Sequence, residues 1–444
     1  MNTFYQLANA LASDSETESE SESDSEEENV NWTKLYIDIT NPITSDSSSP
    51  ISLKKIEDMI TFLSDLIVKG NFSYPYHHLY LPPPKIMYKN LEEIWRTSYE
   101  IFSSIGDENF TLIIDFIDYW LSESITDHFT EHIRMKSRKL YKTFSPMDSW
   151  KSPVLNKGVI TNIISDKAAF SFLEKAIEEY KSQTDPKTEE FTKFLSSREK
   201  NHLNSIIYTI LRPPTIFRPS WAMAIFKHLY PNMLSKDMSK IKWLDPSAGW
   251  GDRLVTATIM GCQYHGVDPN KDLKPGHSGI IEQFGSVKQM VEYKPFEEVD
   301  LGEELYDIAF TSPPFFDIEI YSEQETQSLK RFPSYDLWLK KWFIPSVDKM
   351  WKHLKVGGFL ALYLIDSKLR VITPSLKDHM FKNHRDAWNI KSFKVGVNPV
   401  KPFYIWKKLK GDRAEYGENG KTTDELYDHR KWKTTNNKKY RNKR

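Results

Sequence analysis

From about residue 215 onward the chain is divided into short apolar runs, IKWLD (241–245), YHGVD (264–268), YDIAFTS (306–312) and GFLALYLID (358–366), with helix-length segments between them. Strand-sized apolar runs that alternate with helices are the pattern of βαβ units, and they dictate a parallel sheet with helices on its faces. A last pair, IKSFKVGV (390–397) and FYIWKKL (403–409), is separated by NPVKP and has the form of a terminal hairpin. It adds an antiparallel strand to the sheet. The expected fold class is α/β, a parallel sheet with a C-terminal antiparallel hairpin, preceded by a mostly α-helical N-terminal region.

The helical expectation for residues 51–210 rests on apolar spacing. Ile56, Ile60, Leu63 and Ile67 form one stripe; Leu91, Ile94, Trp95, Tyr99 and Phe102 a second; Phe170, Leu173, Ala176, Ile177 and Tyr180 a third. These stripes are expected to be core. LRPPTIFRPS (211–220) marks the boundary, because paired prolines disfavour helix at and before them. The expected organisation is a tail over 1–50, a helical domain over 51–210, the sheet domain over 211–410 and a second tail over 411–444.

The formal net charge of −1 conceals segregation of sign. SDSETESESESDSEEEN (13–29) is acidic and nearly free of apolar residues, the composition of a disordered solubilising arm. HRKWKTTNNKKYRNKR (429–444) is basic, with Trp432 and Tyr440 interleaved, and two readings stand: a tail that neutralises phosphates, or a solvated terminus. A single cysteine, Cys262, excludes an intramolecular disulfide framework and a cysteine-based metal cluster. The histidines show no paired metal-binding spacing, so no metal is expected. No apolar run approaches bilayer length and MNTFYQLANALAS lacks a basic segment before a long apolar one, so an intracellular protein without a membrane partner is expected, in cytoplasm or nucleus.

The chemistry is concentrated at strand ends. DPSAGWGDRL (245–254) closes the first run, and Gly249 and Gly251 let the backbone turn tightly and approach a ligand ahead of a helix N-terminus. No Lys-Ser or Lys-Thr pair comes after them, so this is not a triphosphate-binding P-loop. Asp245 suits a ligand with an ammonium or sulfonium charge. Asp268 stands 23 positions later at the next strand end, close to the interval at which an acidic side chain reaches ribose hydroxyls in dinucleotide-binding sheets. The third run ends on Ser312, Pro313, Pro314 and Phe315.

DPSAGWGD (245–252) resembles the cofactor loop of class I S-adenosylmethionine-dependent methyltransferases, and FTSPPF (310–315) resembles the motif of enzymes that methylate exocyclic or amide nitrogens, closest to the N4-cytosine DNA methyltransferases. The resemblance covers roughly 215–410 and implies a Rossmann-like methyltransferase sheet that binds S-adenosyl-L-methionine. It assigns Asp245, Pro246, Gly249, Gly251, Asp268, Phe217 and Thr311 to the cofactor pocket, although Phe217 is equally well read as packing. It assigns Ser312, Pro313, Pro314 and Phe315 to catalysis, the first two binding the acceptor amine and Phe315 stacking on the base. Phe296 or Glu297 is a further candidate near the adenine. The implied acceptor is DNA, at cytosine N4 or adenine N6, with RNA or a protein amide as the alternative and an inactive scaffold as a third reading. The segment 316–334 is short for a target-recognition domain, and Asp317, Glu319, Glu323 and Glu325 give it an acidity expected to repel phosphates. The oligomeric state is open.

Overall fold

A computed structural model describes residues 52–96, 110–112, 120–139, 142–183, 189–230, 238–285, 288–366, 370–395 and 401–416. The runs 13–29 and 429–444, with Tyr99 and Phe102, lie outside the described residues. The described chain divides into two compact units. Residues 52–84, 127–215 and 319–322 make the first, and residues 85–126, 216–318 and those from Glu323 onward make the second.

The first unit is helical, as expected. Leu53–Lys69 begins at Ser52, whose hydroxyl accepts the Lys55 amide, and ends at Gly70 with φ 82°. Lys167–Lys181 is capped by Asp166, and Ser197–Leu211 opens with a reciprocal Ser196/Glu199 capping box. The first and third apolar stripes close one core: Ile56, Ile60, Leu63 and Ile67 with Phe170, Leu173, Ala176, Ile177 and Tyr180. Each isoleucine, leucine and phenylalanine among them contributes roughly 1.5–3 kcal/mol by leaving water. Glu319–Ile320 pairs antiparallel with Arg138–Lys139 within this unit.

The second unit is an eight-stranded sheet. Its strands are β1 (Phe110–Leu112), β2 (Lys242–Asp245), β3 (Gln263–Val267), β4 (Gln289–Glu292), β5 (Tyr306–Thr311), β6 (Leu354–Tyr363), β7 (Ala387–Val395) and β8 (Lys401–Lys408). They lie in the order β1-β7-β8-β6-β5-β2-β3-β4. The β4-β3-β2-β5-β6 stretch is parallel, while β8 runs antiparallel between β6 and β7, which places the expected hairpin. The winding reverses at the β2–β5 pair, since β2 leads outward to β3 and β4 on one side and β5 leads to β6 on the other. Strand alternation sorts the core into two faces. Leu244 and Ala309 point to a face with Leu360, Leu362, Trp338 and Val347. Trp243 and Phe310 stack on each other with ring centres 5.4 Å apart, and Phe226 joins them.

The expected helical domain over 51–210 is not contiguous. Residues 85–126 cluster with the sheet, and the boundary near the paired prolines falls between Thr215 and Ile216. Leu91 and Ile94 are buried as their spacing requires. Periodicity reports that a helix has an apolar face, not which core receives it. β1 lies in the same stretch and pairs parallel with β7, Phe110 opposite Phe393. Among the described residues no helix is long and apolar enough to cross a membrane.

Candidate active site at the carboxyl ends of the central strands

β2 and β5 pair in parallel with Trp243 opposite Ile308 and Leu244 opposite Ala309, so the loop after Asp245 and the loop after Thr311 emerge at the same end of the sheet. That end of the reversal point is where an open α/β sheet forms a crevice. The structure brings the glycine loop and the Ser-Pro-Pro-Phe segment to this place together.

The glycine loop is clamped through one residue. Gly249 donates its N–H to Asp268 Oδ2 at 2.8 Å, and its carbonyl oxygen lies 2.9 Å from His277 Nε2. His277 is buried on helix Lys274–Phe284, and burial pushes its imidazole down to about 4, so the ring is neutral near pH 7. Its Nε2–H donates to Gly249, and its Nδ1 accepts from the Tyr293 hydroxyl at 3.0 Å. Gly251 has φ 99°, and a Cβ there would stand 2.8 Å from Ile280 Cδ1. Glycine at 251 therefore serves both the turn and the close approach of the helix it precedes, Asp252–Met260, to Lys274–Phe284.

Asp268 also accepts the Asn270 amide on Oδ1 at 2.9 Å. It is only 7% exposed, and burial raises its carboxyl from the ordinary range to about 7 despite the two amide bonds. Each of its oxygens retains further acceptor capacity for a hydroxyl.

Asp245 is placed differently from the expectation. Its carboxylate is fully buried and bonded to Arg253 Nε at 2.7 Å and the Tyr264 hydroxyl at 2.6 Å, with the Ser247 amide at 3.3 Å. The negative charge expected to face a cationic ligand is met by the protein's own guanidinium. Asp245 thus anchors the loop from below. Pro246 is buried behind it.

Phe217 resolves toward packing. Its ring is buried beneath the Arg253 guanidinium, 5.0 Å from its centre, and meets Phe310, Tyr363 and Phe403 edge-on. Its backbone N–H donates to Asp252, which also accepts the Thr126 hydroxyl. Phe296 belongs to the core as well, 2% exposed under Lys349, and Glu297 accepts the Trp342 indole N–H at 3.0 Å. Tyr293, three residues earlier, is the residue of that segment that reaches the loop, through His277.

After β5, Pro313 is buried while Ser312, Pro314 and Phe315 are half-buried. Thr311 is 1% exposed, and its hydroxyl has no partner among the described residues. Phe315 lies edge-on to Tyr363 at 5.8 Å, the same ring that Phe217 touches at 5.9 Å. Phe316 has φ 60°, a left-handed conformation that costs a non-glycine residue about 1–2 kcal/mol. Packing holds it there: its ring is buried against Tyr335 and Trp338 with the Arg370 guanidinium 5.3 Å from its centre. The strained residue directly after the Pro-Pro-Phe run fixes the direction in which the motif leaves the sheet.

The acidity of the next segment is compensated in part. Asp317 pairs with Arg370 at 2.9 Å and Glu323 with Lys330 at 2.7 Å. Burial raises the Glu319 carboxyl, which accepts the Tyr321 hydroxyl at 2.8 Å. The expected repulsion of phosphates by this segment is correspondingly reduced.

Sequence reading missed Arg253, Tyr264, His277 and Tyr293. Arg253 and Tyr264 carried a signal in hindsight, because a buried strand-end carboxylate requires a partner. His277, inside KPGHSG, carried none.

No family model and no curated protein matches the sequence. The fold is similar to solved structures. A methyltransferase from Pyrococcus furiosus is 15% identical with a TM-score of 0.30, covering 44% of this chain and 85% of its own. An rRNA methylase from Streptococcus thermophilus is 14% identical with a TM-score of 0.30, covering 44% of this chain and 100% of its own. The methyltransferase domain of METTL16 is 12% identical with a TM-score of 0.31, covering 44% of this chain and 70% of its own. Likeness at this level assigns no activity to this chain.

Proposed function

We propose that this chain is an S-adenosylmethionine-dependent methyltransferase acting on an exocyclic amino group of a nucleic-acid base. The observation that carries the reading is the convergence of the Gly249–Asp268 clamp and the Ser312-Pro313-Pro314-Phe315 segment at the β2–β5 reversal. The residues present fit the cofactor. Gly249 and Gly251 place no side chain at two positions of the loop, Asp268 offers acceptors for ribose hydroxyls, and Thr311 holds a buried hydroxyl with no partner among the described residues. When bound, S-adenosylmethionine supplies an electrophilic methyl group on sulfur.

The chain's own task is to make a weakly basic amine nucleophilic. An exocyclic amino nitrogen delocalises its lone pair into the ring. When its two N–H groups donate to Ser312 Oγ and the Pro313 carbonyl oxygen, the nitrogen is drawn toward tetrahedral geometry. Each bond contributes roughly 1–3 kcal/mol, and only the part that strengthens at the transition state accelerates transfer. Two prolines hold the carbonyl in place, and the half-buried Phe315 ring offers a stacking surface to a base taken out of its helix. Ser312 has no hydrogen-bond partner among the described residues, so its hydroxyl is available for that contact.

DNA with cytosine N4 or adenine N6 as the target remains the first reading, and RNA the second. Incubation with methyl-labelled S-adenosylmethionine and, separately, DNA, RNA and a protein extract, with digestion and mass identification of the product, tests it. Label in N4-methylcytosine or N6-methyladenine supports the proposal and names the polymer. Label confined to protein overturns the acceptor, and absence of cofactor binding overturns the class.

A further inference from the structure

We propose that Asp348, His379 and His384 form a binding site for a divalent transition metal of the zinc type. Asp348 lies on helix Ile344–Lys352, His379 on helix Thr373–Asn383, and His384 is the residue that ends the second helix. Both imidazoles aim Nε2 at one atom, Asp348 Oδ1, at 2.6 Å from His379 and 2.7 Å from His384. The three ligand atoms all lie within 4.8 Å of one another.

Two imidazole nitrogens and one carboxylate oxygen are a zinc donor set that leaves a fourth position open to water or another ligand. Magnesium and calcium demand mostly oxygen ligands, so this mixture disfavours them. Zinc-to-ligand bonds of about 2.0–2.2 Å require the donor atoms to stand slightly farther apart than they do here. Rotation of the Asp348 carboxylate, 44% exposed, suffices for that small opening and leaves an entry path, while the rings are only 18% and 15% exposed.

The ligands are also held from behind, as metal-binding rings require. His384 donates its backbone N–H to Met380, accepts Arg413 Nη1 on its carbonyl at 2.9 Å, and rests against the Trp351 ring at 5.5 Å. Trp351 is itself fixed by its indole N–H on Asp386 at 3.0 Å. The Asn383 amide lies 3.0 Å from His379 Nδ1, and a turn of that amide presents its oxygen to an Nδ1–H once Nε2 binds metal. Sequence spacing hid the site, since the carboxylate comes from a helix 31 residues earlier than His379.

The cluster lies toward the amino ends of the strands, because Asp348 stands just before Leu354, which pairs with Tyr306 at the start of β5. It is thus remote from Ser312, and the metal would staple two helices instead of entering the methyl transfer.

The test uses the full chain, stripped with a chelator and titrated with Zn²⁺ against a chromophoric competitor. One equivalent should bind with Kd below about 1 µM, and His379→Ala and His384→Ala should each weaken it by about tenfold to a hundredfold or more, with unchanged circular dichroism. Co²⁺ in the unaltered protein should give the strong visible absorption of a four-coordinate site, a readout that needs no variant. Absence of saturable zinc binding, a weak six-coordinate cobalt spectrum, or undiminished binding in the His379→Ala/His384→Ala double variant would each overturn the proposal.

Discussion

The Asp268 carboxylate accepts the backbone N–H of Gly249 at 2.8 Å, so the side chain read as a ribose ligand is also the clamp of the glycine loop. His277 holds the same residue from its carbonyl side. One peptide segment is fixed by two side chains from two different elements.

A consequence is a pH-dependent cofactor affinity. Burial raises the Asp268 carboxyl to about 7, and only its ionised form accepts from ribose hydroxyls with both oxygens. The ligand therefore binds the deprotonated state, and affinity falls as pH drops through 7. S-adenosylmethionine should bind about tenfold more weakly at pH 6 than at pH 8 by titration calorimetry. Asp268→Asn should bind weakly at both pH values and lose the dependence.

Gly251 should resist substitution for two separate reasons, its φ of 99° and the 2.8 Å approach that a Cβ would make to Ile280. Gly251→Ala should destabilise the second unit by about 2 kcal/mol, read from the shift in denaturant midpoint. A loss below a few tenths of a kcal/mol would mean that neither the left-handed φ nor the Ile280 contact constrains position 251.

The Asp245–Arg253 pair is buried on both sides, at 0% and 5% exposure. Removing one partner strands the other charge, so Asp245→Asn or Arg253→Met should each cost about 3–5 kcal/mol. The double variant should be less destabilised than the sum of the singles, and a double-mutant cycle measures the difference. Additive losses would show that the two groups act independently.

Ser312→Ala should separate binding from chemistry. Its hydroxyl has no hydrogen-bond partner among the described residues, so the fold and the S-adenosylmethionine Kd should stay unchanged. The rate of methyl transfer should fall about tenfold to a hundredfold, the loss of one transition-state hydrogen bond. A variant that transfers at the full rate would remove Ser312 from the acceptor site.

The amino-acid sequence by itself determined the local periodicities and the places where they break. Strand-sized apolar runs between helix-length segments specified the parallel sheet, because strands covered by helices on both faces must be apolar on both. The stripes at Ile56–Ile67 and Phe170–Tyr180 specified helices, because 3.6-residue spacing makes one apolar side. Ser312, Gly249 and Asp268 were visible because strand-end glycines, prolines and carboxylates are local signals. What only the tertiary structure decided was partnership. Asp245 meets Arg253, Phe217 lies under that same guanidinium, and His277 reaches Gly249 across 28 positions. Helical residues 85–96 and the strand Phe110–Leu112 join the sheet unit for a related reason. An apolar face or a buried charge states in sequence that it needs a partner, but the choice among partners is made by long-range packing, which no local pattern encodes.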